Sequence, residues 1–468
     1  PSGSRSVSLT GGDGVSNARG LRVGGPYEVS VSANGETSGA DVANIGLGDA
    51  ATVRLALGVS TIEDIVVTGV RAAVPTAIGP SATFTAEDLE RAPSINRDLR
   101  DVIAIDPRVY VDEAFVDAVQ CGGANPRFNS LTVDGTRMND NFGLNSSGYP
   151  TERMPFSYDA IEQVAVELAP FDVEYGRFTA CNINAVTKSG GNEFHGGFFF
   201  DFNNQDLSGS SLEGGELNLG EFEEKRYGFN VGGPILQDRL FFFASYEKLE
   251  GTNVFDRGPA GTNAGTPIQG FSQAQYEEIL DIAQTVYGFD PGGVPAPASN
   301  EDEKILVKLD WNINDRHRAA FTYNYNNGYN IVESDGGSDE FEYSGHLYSR
   351  GSELNAYVGQ LFSDWTDNFS TEMRISYAEL QNNVVPQGGL DVGEVQITTF
   401  NDPDGDGVNS RATVYLGADD SRHSNVLEYS TLGFKLGGTY LMGDHLFSFG
   451  FEREELDIFN MFVQHSQG

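Results

Sequence analysis

Few residues among the 468 of this chain have the type and spacing that chemistry requires. The sharpest pattern is Asp402-Pro403-Asp404-Gly405-Asp406-Gly407, in which alternate carboxylates can converge on a hard cation and glycine permits a sharp turn, as in the first half of a calcium loop. Position twelve of such a loop is Thr413 here, not a bidentate Glu. Two readings follow: a Ca2+ site from Asp402 to Gly407 completed by ligands from elsewhere, or an ordinary Asp/Gly turn of the same composition. The six histidines, His195, His317, His346, His423, His445 and His465, show no HxxxH or HExxH spacing, so metal catalysis has no support. There is no G-x-S-x-G elbow, no Walker A pattern and no CxxC, and nothing singles out a catalytic pair among 68 acids. Acidic stretches such as Glu333 to Glu342 can gather cations, but such runs usually serve as solvated faces. Cys121 and Cys181 fit either stray thiols in a reducing compartment or one bridge in an oxidising one; the count alone does not choose. No catalytic residue and no cofactor is expected beyond that calcium ion.

The elements that carry these residues follow from composition and periodicity. A formal net charge of −39 repels phosphate backbones, which excludes nucleic acid as a partner. With 39% hydrophobic residues, 31 Phe and 19 Tyr, the chain folds instead of staying solvated. Mean hydropathy is −0.31 and no apolar run reaches the ~18 to 20 residues of a spanning helix, which excludes a helical membrane protein. At ~150 residues per domain the length suggests roughly three domains. The chain starts at Pro1 without a basic-then-apolar leader, so any secretory signal is expected to have been removed or to lie outside this sequence.

Residues 1–60 read as short strands broken by Gly, Asn and Ser, among them Tyr27 to Ala33 and Ala51 to Leu57, as at the end of a β-sandwich. Residues 61–190 read as mixed α/β. Strands are expected at Ile65 to Val67, Ser130 to Val133 and Ile161 to Glu167, and helices at Ala86 to Arg91 and Asn96 to Ile105, N-capped by Thr85 and Ser94. From residue 191 to 468 the pattern has a sustained period of two. Ile305, Val307, Leu309 and Trp311 share one face against Lys304, Lys308 and Asp310, while Phe447, Phe449 and Phe451 oppose Ser448, Gly450 and Glu452. Roughly nine such segments are present: around Phe194 to Phe202, Arg226 to Gly233, Leu240 to Lys248, Lys304 to Ile313, Ala319 to Asn326, Leu354 to Asp364, Phe369 to Leu380, Leu427 to Leu441 and Leu446 to Asp457. About ten alternating residues is what a tilted strand needs to cross an outer membrane. Short turns, such as Ile313 to Asp315, interleave with long polar excursions at Gly251 to Asp302, Gly328 to Gly351 and Gln381 to His423. A transmembrane barrel has this asymmetry, whereas the turns of a soluble sandwich recur every ~8 to 12 residues. Trp311, Tyr323, Tyr325, Trp365, Tyr377 and Tyr440 suit interfacial girdles.

Several stretches resemble TonB-dependent outer-membrane transporters, in particular the Oar-like group with an N-terminal carboxypeptidase-regulatory-like domain. They are Gly20 to Tyr27, Ile62 to Gly69, Arg97-Asp98-Leu99, Phe128 to Gly135, Ile161 to Val164, Pro170 to Gly176, Ile183 to Gly190, and Gly232 to Ile235 with Asp238 to Phe243. Ala180-Cys181 departs from the small glycine-rich residues more usual in the family. The resemblance implies a mostly β fold: a transmembrane β-barrel, incomplete within this chain, with an α/β plug inside and the end of a β-sandwich. Family barrels have about 22 strands. Nine alone would leave unpaired edges in lipid, so the chain by itself is not expected to insert stably.

It further implies TonB-dependent uptake of a scarce nutrient, an oligopeptide, glycan or metal chelate, across the bacterial outer membrane, with the plug and N-terminal domain facing the periplasm. The implied partners are outer-membrane lipid and lipopolysaccharide, TonB of the inner-membrane energising complex, the nutrient, and a surface lipoprotein. Ile62, Glu63, Asp64, Ile65, Val66, Val67 and Thr68 are the candidate coupling segment, because an extended apolar run can add as a strand to a partner's sheet edge; the same residues also suit the first plug strand. The periplasm is oxidising, so a Cys121–Cys181 bridge is expected, closing about 60 residues and worth ~4 kcal/mol in the chain-entropy model. A reading from another class is a structural or adhesion barrel that displays acidic, ion-binding loops.

Overall fold

The computed structural model describes residues 18, 24–33, 36–38, 41–45, 53 and 55. It also describes 80–464 apart from 93, 95, 113–117, 144, 146, 169, 171–172, 174–175, 177, 210, 213–214, 217–220, 423 and 444. Near the N-terminus Gly24–Val29 pairs antiparallel with Asp41–Ile45, and Ser32–Ala33 with Glu36–Thr37. The Ile62 to Thr68 run lies outside the described residues, as does most of Ala51 to Leu57.

The plug is a five-stranded sheet of β1 (Ser81–Thr85), β2 (Ser130–Val133), β3 (Thr136–Arg137), β4 (Ile161–Leu168) and β5 (Cys181–Thr187), in the order β1-β4-β5-β2-β3. Only β5 and β2 run parallel. Helix α1 (Ala86–Arg91) starts where a capping box forms: Asp88 N donates to Thr85 Oγ1 and Thr85 N to the Asp88 carboxylate at 2.8 Å. Helix α2 is shorter than expected, Leu99–Ile103, and its N-cap is Asp98, not Ser94. The reason is local. Ser94 Oγ accepts from Asp98 N, so it closes the preceding turn, and the Asp98 carboxylate then takes the first free helical N–H, that of Arg100. Leu99, Val102 and Ile103 enter the plug core with Val164, Val166, Phe156 and Met154.

The wall is one antiparallel nine-stranded sheet in sequence order: β6 (His195–Asn204), β7 (Glu223–Leu236), β8 (Leu240–Asn253), β9 (Ala298–Asn314), β10 (His317–Val332), β11 (Tyr348–Thr366), β12 (Phe369–Pro386), β13 (Asn425–Met442) and β14 (His445–Phe462). All nine alternating segments are strands, most of them several residues longer than the alternation alone marks. The barrel is not closed: β6 and β14 are the sheet edges. Register aligns Val307, Tyr323, Tyr357, Tyr377 and Leu432 in one cross-strand row. Phe229, Trp311, Phe321, Trp365, Ile375 and Leu436 are exposed with that face, an apolar and aromatic band of the kind lipid covers. Phe447 and Phe449 are exposed as well.

The three long connections are not the featureless polar excursions that composition suggested. They leave the wall at the rim opposite the short turns and fold against one another. The 254–297 connection carries Thr266–Ser272 and helix α3 (Gln273–Thr285), capped by Ser272 with Gln275. Glu340–Glu342 pairs in parallel with Ser410–Leu416, which pairs antiparallel with Val395–Asn401. Ile268, Phe271, Phe341, Tyr343, Ala412 and Val414 form a fully buried core between them.

Candidate functional site

The period of two that directs Ile305, Val307, Leu309 and Trp311 outward on β9 turns Asp302, Lys304, Lys308 and Asp310 inward, where the plug buries them. Charges removed from water need partners: Lys304 finds Glu247 and Asp302 in the wall itself, and Lys308 finds the plug.

The central contact is the β2–β3 turn. Asp134 and Gly135 have φ of 48° and 75°, the two positive values of a two-residue I′ hairpin turn, which favours Asp-Gly. The Asp134 carboxylate accepts from Thr187 N at 3.0 Å and from Thr187 Oγ1 at 2.6 Å, tying the turn to β5. Wall side chains then converge on it from four adjacent strands. Lys308 Nζ of β9 lies 3.4 Å from both carboxylate oxygens and donates to Thr187 O at 3.1 Å. Thr322 Oγ1 of β10 donates to Asp134 Oδ2 at 3.4 Å. Gln360 Nε2 of β11 donates to Asp134 O at 3.1 Å, and Arg374 Nη1 of β12 to Gly135 O at 2.6 Å.

A second set of contacts holds residues 152–157. Glu247 of β8 binds Lys304 Nζ at 2.9 Å and accepts from Ser157 Oγ at 3.0 Å. Arg350 Nε donates to Glu152 at 2.8 Å, Asn324 to Pro155 O at 2.9 Å, and Arg153 reaches Asn300 and Asn330. Elsewhere Arg97 pairs with Asp159 at 2.5 Å, its guanidinium carbon 3.6 Å from the centroid of the wall's Phe199 ring. Apolar seating comes from Leu354, Ala356, Leu380, Leu427 and Tyr429, which join the plug core, and from Phe243 and Leu306, which pack on Ala160. Within the plug, burial alone pushes the Asp98 carboxyl up. The Arg100 guanidinium, donating to both its oxygens, more than reverses this and holds the group below its ordinary value. Burial also pushes the Tyr158 hydroxyl up to about 12.

Cys121 and Cys181 form the expected disulfide, with Cα atoms 6.0 Å apart, linking the Val109–Asp112/Ala118–Cys121 hairpin to the start of β5. Asp402, Asp404 and Asp406 do come together, with ligand atoms within 4.8 Å. There Asp402 accepts from the N–H groups of Gly405, Asp406 and Gly407, and Asp406 from that of Val408. The Asp134, Lys308 and Arg374 contacts were not singled out from sequence. Their available signals were the Asp-Gly turn and the lysines on the polar face of β9.

Residues 75–181 match the TonB-dependent receptor plug domain, and residues 186–281 an outer membrane β-barrel domain. The chain therefore carries a TonB-dependent receptor plug followed by an outer membrane β-barrel domain. Over 222 residues it is 36% identical to the TonB-dependent transporter Oar of Myxococcus xanthus, covering 44% of this chain and 19% of the relative. It is 27% identical over 256 residues to the probable TonB-dependent siderophore receptor PirA of Acinetobacter baumannii, covering 49% of this chain and 32% of the relative. The chain thus spans at most about a third of the length of these curated relatives. Among solved structures, the outer membrane transporter YddB of Escherichia coli matches with a TM-score of 0.55 at 14% identity, covering 81% of this chain and 48% of that one. The siderophore receptor PirA of Acinetobacter baumannii gives 0.51 at 17%, with the same coverage. These two likenesses show the fold. Members of the family are outer-membrane transporters, not enzymes.

Proposed function

We propose that this chain supplies the plug and part of the wall of a receptor that takes up a scarce nutrient across the outer membrane, driven through TonB. The observation that carries the reading is the grip of Lys308, Thr322, Gln360 and Arg374 on the Asp134-Gly135 turn. A plug seated by hydrogen bonds and ion pairs can be unseated stepwise at modest net cost, because each released group is rehydrated; a hydrogen bond is worth only ~0.5–1.5 kcal/mol against water. An apolar seat of the same area would resist wetting. Ile62 to Thr68, just N-terminal to the plug, is the proposed handle, pairing its backbone with TonB by strand addition. The nutrient belongs to the class of oligopeptides, glycans or metal chelates. The siderophore receptors among the relatives support the chelate, and the likeness to Oar is neutral among them.

Deleting residues 62–68 from the whole receptor tests this. Uptake should stop while ligand still binds at the cell surface, and a purified TonB C-terminal domain should no longer be captured. Undiminished uptake overturns the handle. Unchanged nutrient uptake in a strain lacking the receptor, with altered cell adhesion, overturns transport in favour of surface display.

A further inference from the structure

The folded loop unit holds a cluster of ligand-bearing side chains that lies apart from the plug–wall contacts. Asp335 and His346 from the 333–347 connection meet Glu394 and Asp419 from the 387–424 connection, with one ligand atom of each within 4.8 Å of all the others. His346 is completely buried. Its Nδ1 lies 2.9 Å from Gly417 O, which can only accept, so Nδ1 carries a proton and Nε2 is the nitrogen turned toward the carboxylates. Nε2 is 3.3 Å from Asp335 Oδ2 and 3.9 Å from Asp419 Oδ2. A proton on Nε2 makes it a donor to Asp335; in neutral imidazole that nitrogen is instead a lone pair facing the carboxylates, and a bound cation would take the proton's place. Asp419 is 2% exposed; its Oδ1 accepts from Ser421 N, while its Oδ2 has no hydrogen-bond donor among the described residues. The cluster therefore has two almost fully buried ligand groups whose lone pairs converge on one point.

We propose that these four residues bind a divalent first-row transition ion, Zn2+ by preference, that ties the two connections together. The donor set is one imidazole nitrogen and three carboxylates. Imidazole disfavours Ca2+ and Mg2+, whereas a mixed N/O set suits Zn2+. Two ligands each 2.0–2.1 Å from a tetrahedral metal lie about 3.3 Å apart, the present separation of His346 Nε2 and Asp335 Oδ2. The Gly417 carbonyl fixes the ring as a backbone partner does behind a ligating histidine. Because each connection gives two ligands, neither completes the site alone.

The test uses the whole receptor, stripped with chelator and dialysed separately against Zn2+, Mn2+ and Ca2+. Bound metal is read by atomic emission, and protection by limited proteolysis of the 387–424 connection. One Zn2+ per chain and slower cleavage with Zn2+ are expected. His346→Gln should weaken Zn2+ binding by roughly 100-fold and Glu394→Gln by at least about 10-fold, while Asp402→Asn leaves it unchanged. Glu394 is only partly buried, so its variant decides the matter if His346→Gln does not fold. No Zn2+ retained by the wild type, retention of Ca2+ alone, or full Zn2+ affinity in Glu394→Gln overturns the proposal.

Discussion

Lys308 of the wall and Asp134 of the plug, 174 residues apart in sequence, form a buried pair in which the ammonium stands 3.4 Å from both carboxylate oxygens. Removing one member strands the other. Lys308→Met should therefore destabilise the seated plug by about 3–5 kcal/mol. Hydrogen exchange on the purified receptor checks it: amides of β2, β3 and β5 should exchange faster, while β11 to β13 keep their protection. Unchanged exchange in β2 and β3 would remove this pair from the seat.

Gly190, between plug and wall, has no room for a side chain. A Cβ there would lie 2.2 Å from Phe242 O and 2.8 Å from Gly233 O, both backbone atoms that cannot swing aside. Gly190→Ala should sharply lower the yield of folded receptor in membranes, whereas Gly359→Ala, with nothing within 4 Å, should not. Equal yields would sink the expectation.

Acid should loosen the plug through Asp98. Its folded-state carboxyl lies below the ordinary 3.8, so the Arg100 pairing stabilises the plug above that pH and is lost as pH falls through the lower folded value. Asp98→Asn should cost about 3 kcal/mol at pH 7 and flatten the fall in plug stability below pH ~4. Melting followed by plug-specific proteolysis across pH 3–7 measures both; an identical acid profile in the variant contradicts the assignment.

The Cys121–Cys181 bridge spans 60 residues, and a loop of that size gives up to ~4 kcal/mol in the chain-entropy model. The double Cys→Ser variant should unfold its plug at lower denaturant, with the wall transition unmoved. Coincident midpoints in wild type and variant would assign the bridge no stabilising role.

Phe341 is fully buried in the loop unit among Phe271, Tyr276 and Tyr343. Phe341→Ala should cost that unit about 3–5 kcal/mol and make residues 387–424 protease-sensitive, leaving the wall intact. Loss of the wall as well would show that the unit is not separable.

The wall was legible because each strand announces itself within its own residues. Ile305 to Trp311 alternates against Lys304 to Asp310, and all nine segments found in this way are strands of one sheet. Helix α1 was legible for the same local reason, a hydroxyl and an acid three residues apart at Thr85 and Asp88. The start of α2 was misread because two nearby side chains, Ser94 and Asp98, compete for the same cap, and only the folded backbone shows which N–H each reaches. The loop unit escaped notice because its apolar residues arrive in short groups around Phe271, Phe341 and Val414, and no group is long enough to show a period.

Sequence by itself determined the alternation of lipid-facing and inward side chains, the capped start of α1, the pairing of the two cysteines once the compartment was inferred, and the family resemblance. These rest on neighbours a few residues apart or on a resemblance carried by short motifs. Tertiary structure alone decided that Arg374, 239 residues distant, grips Gly135 O, and that Asp335, His346, Glu394 and Asp419 share one pocket. Such meetings depend on strand register and on how three separate connections pack, quantities that no local window of residues contains.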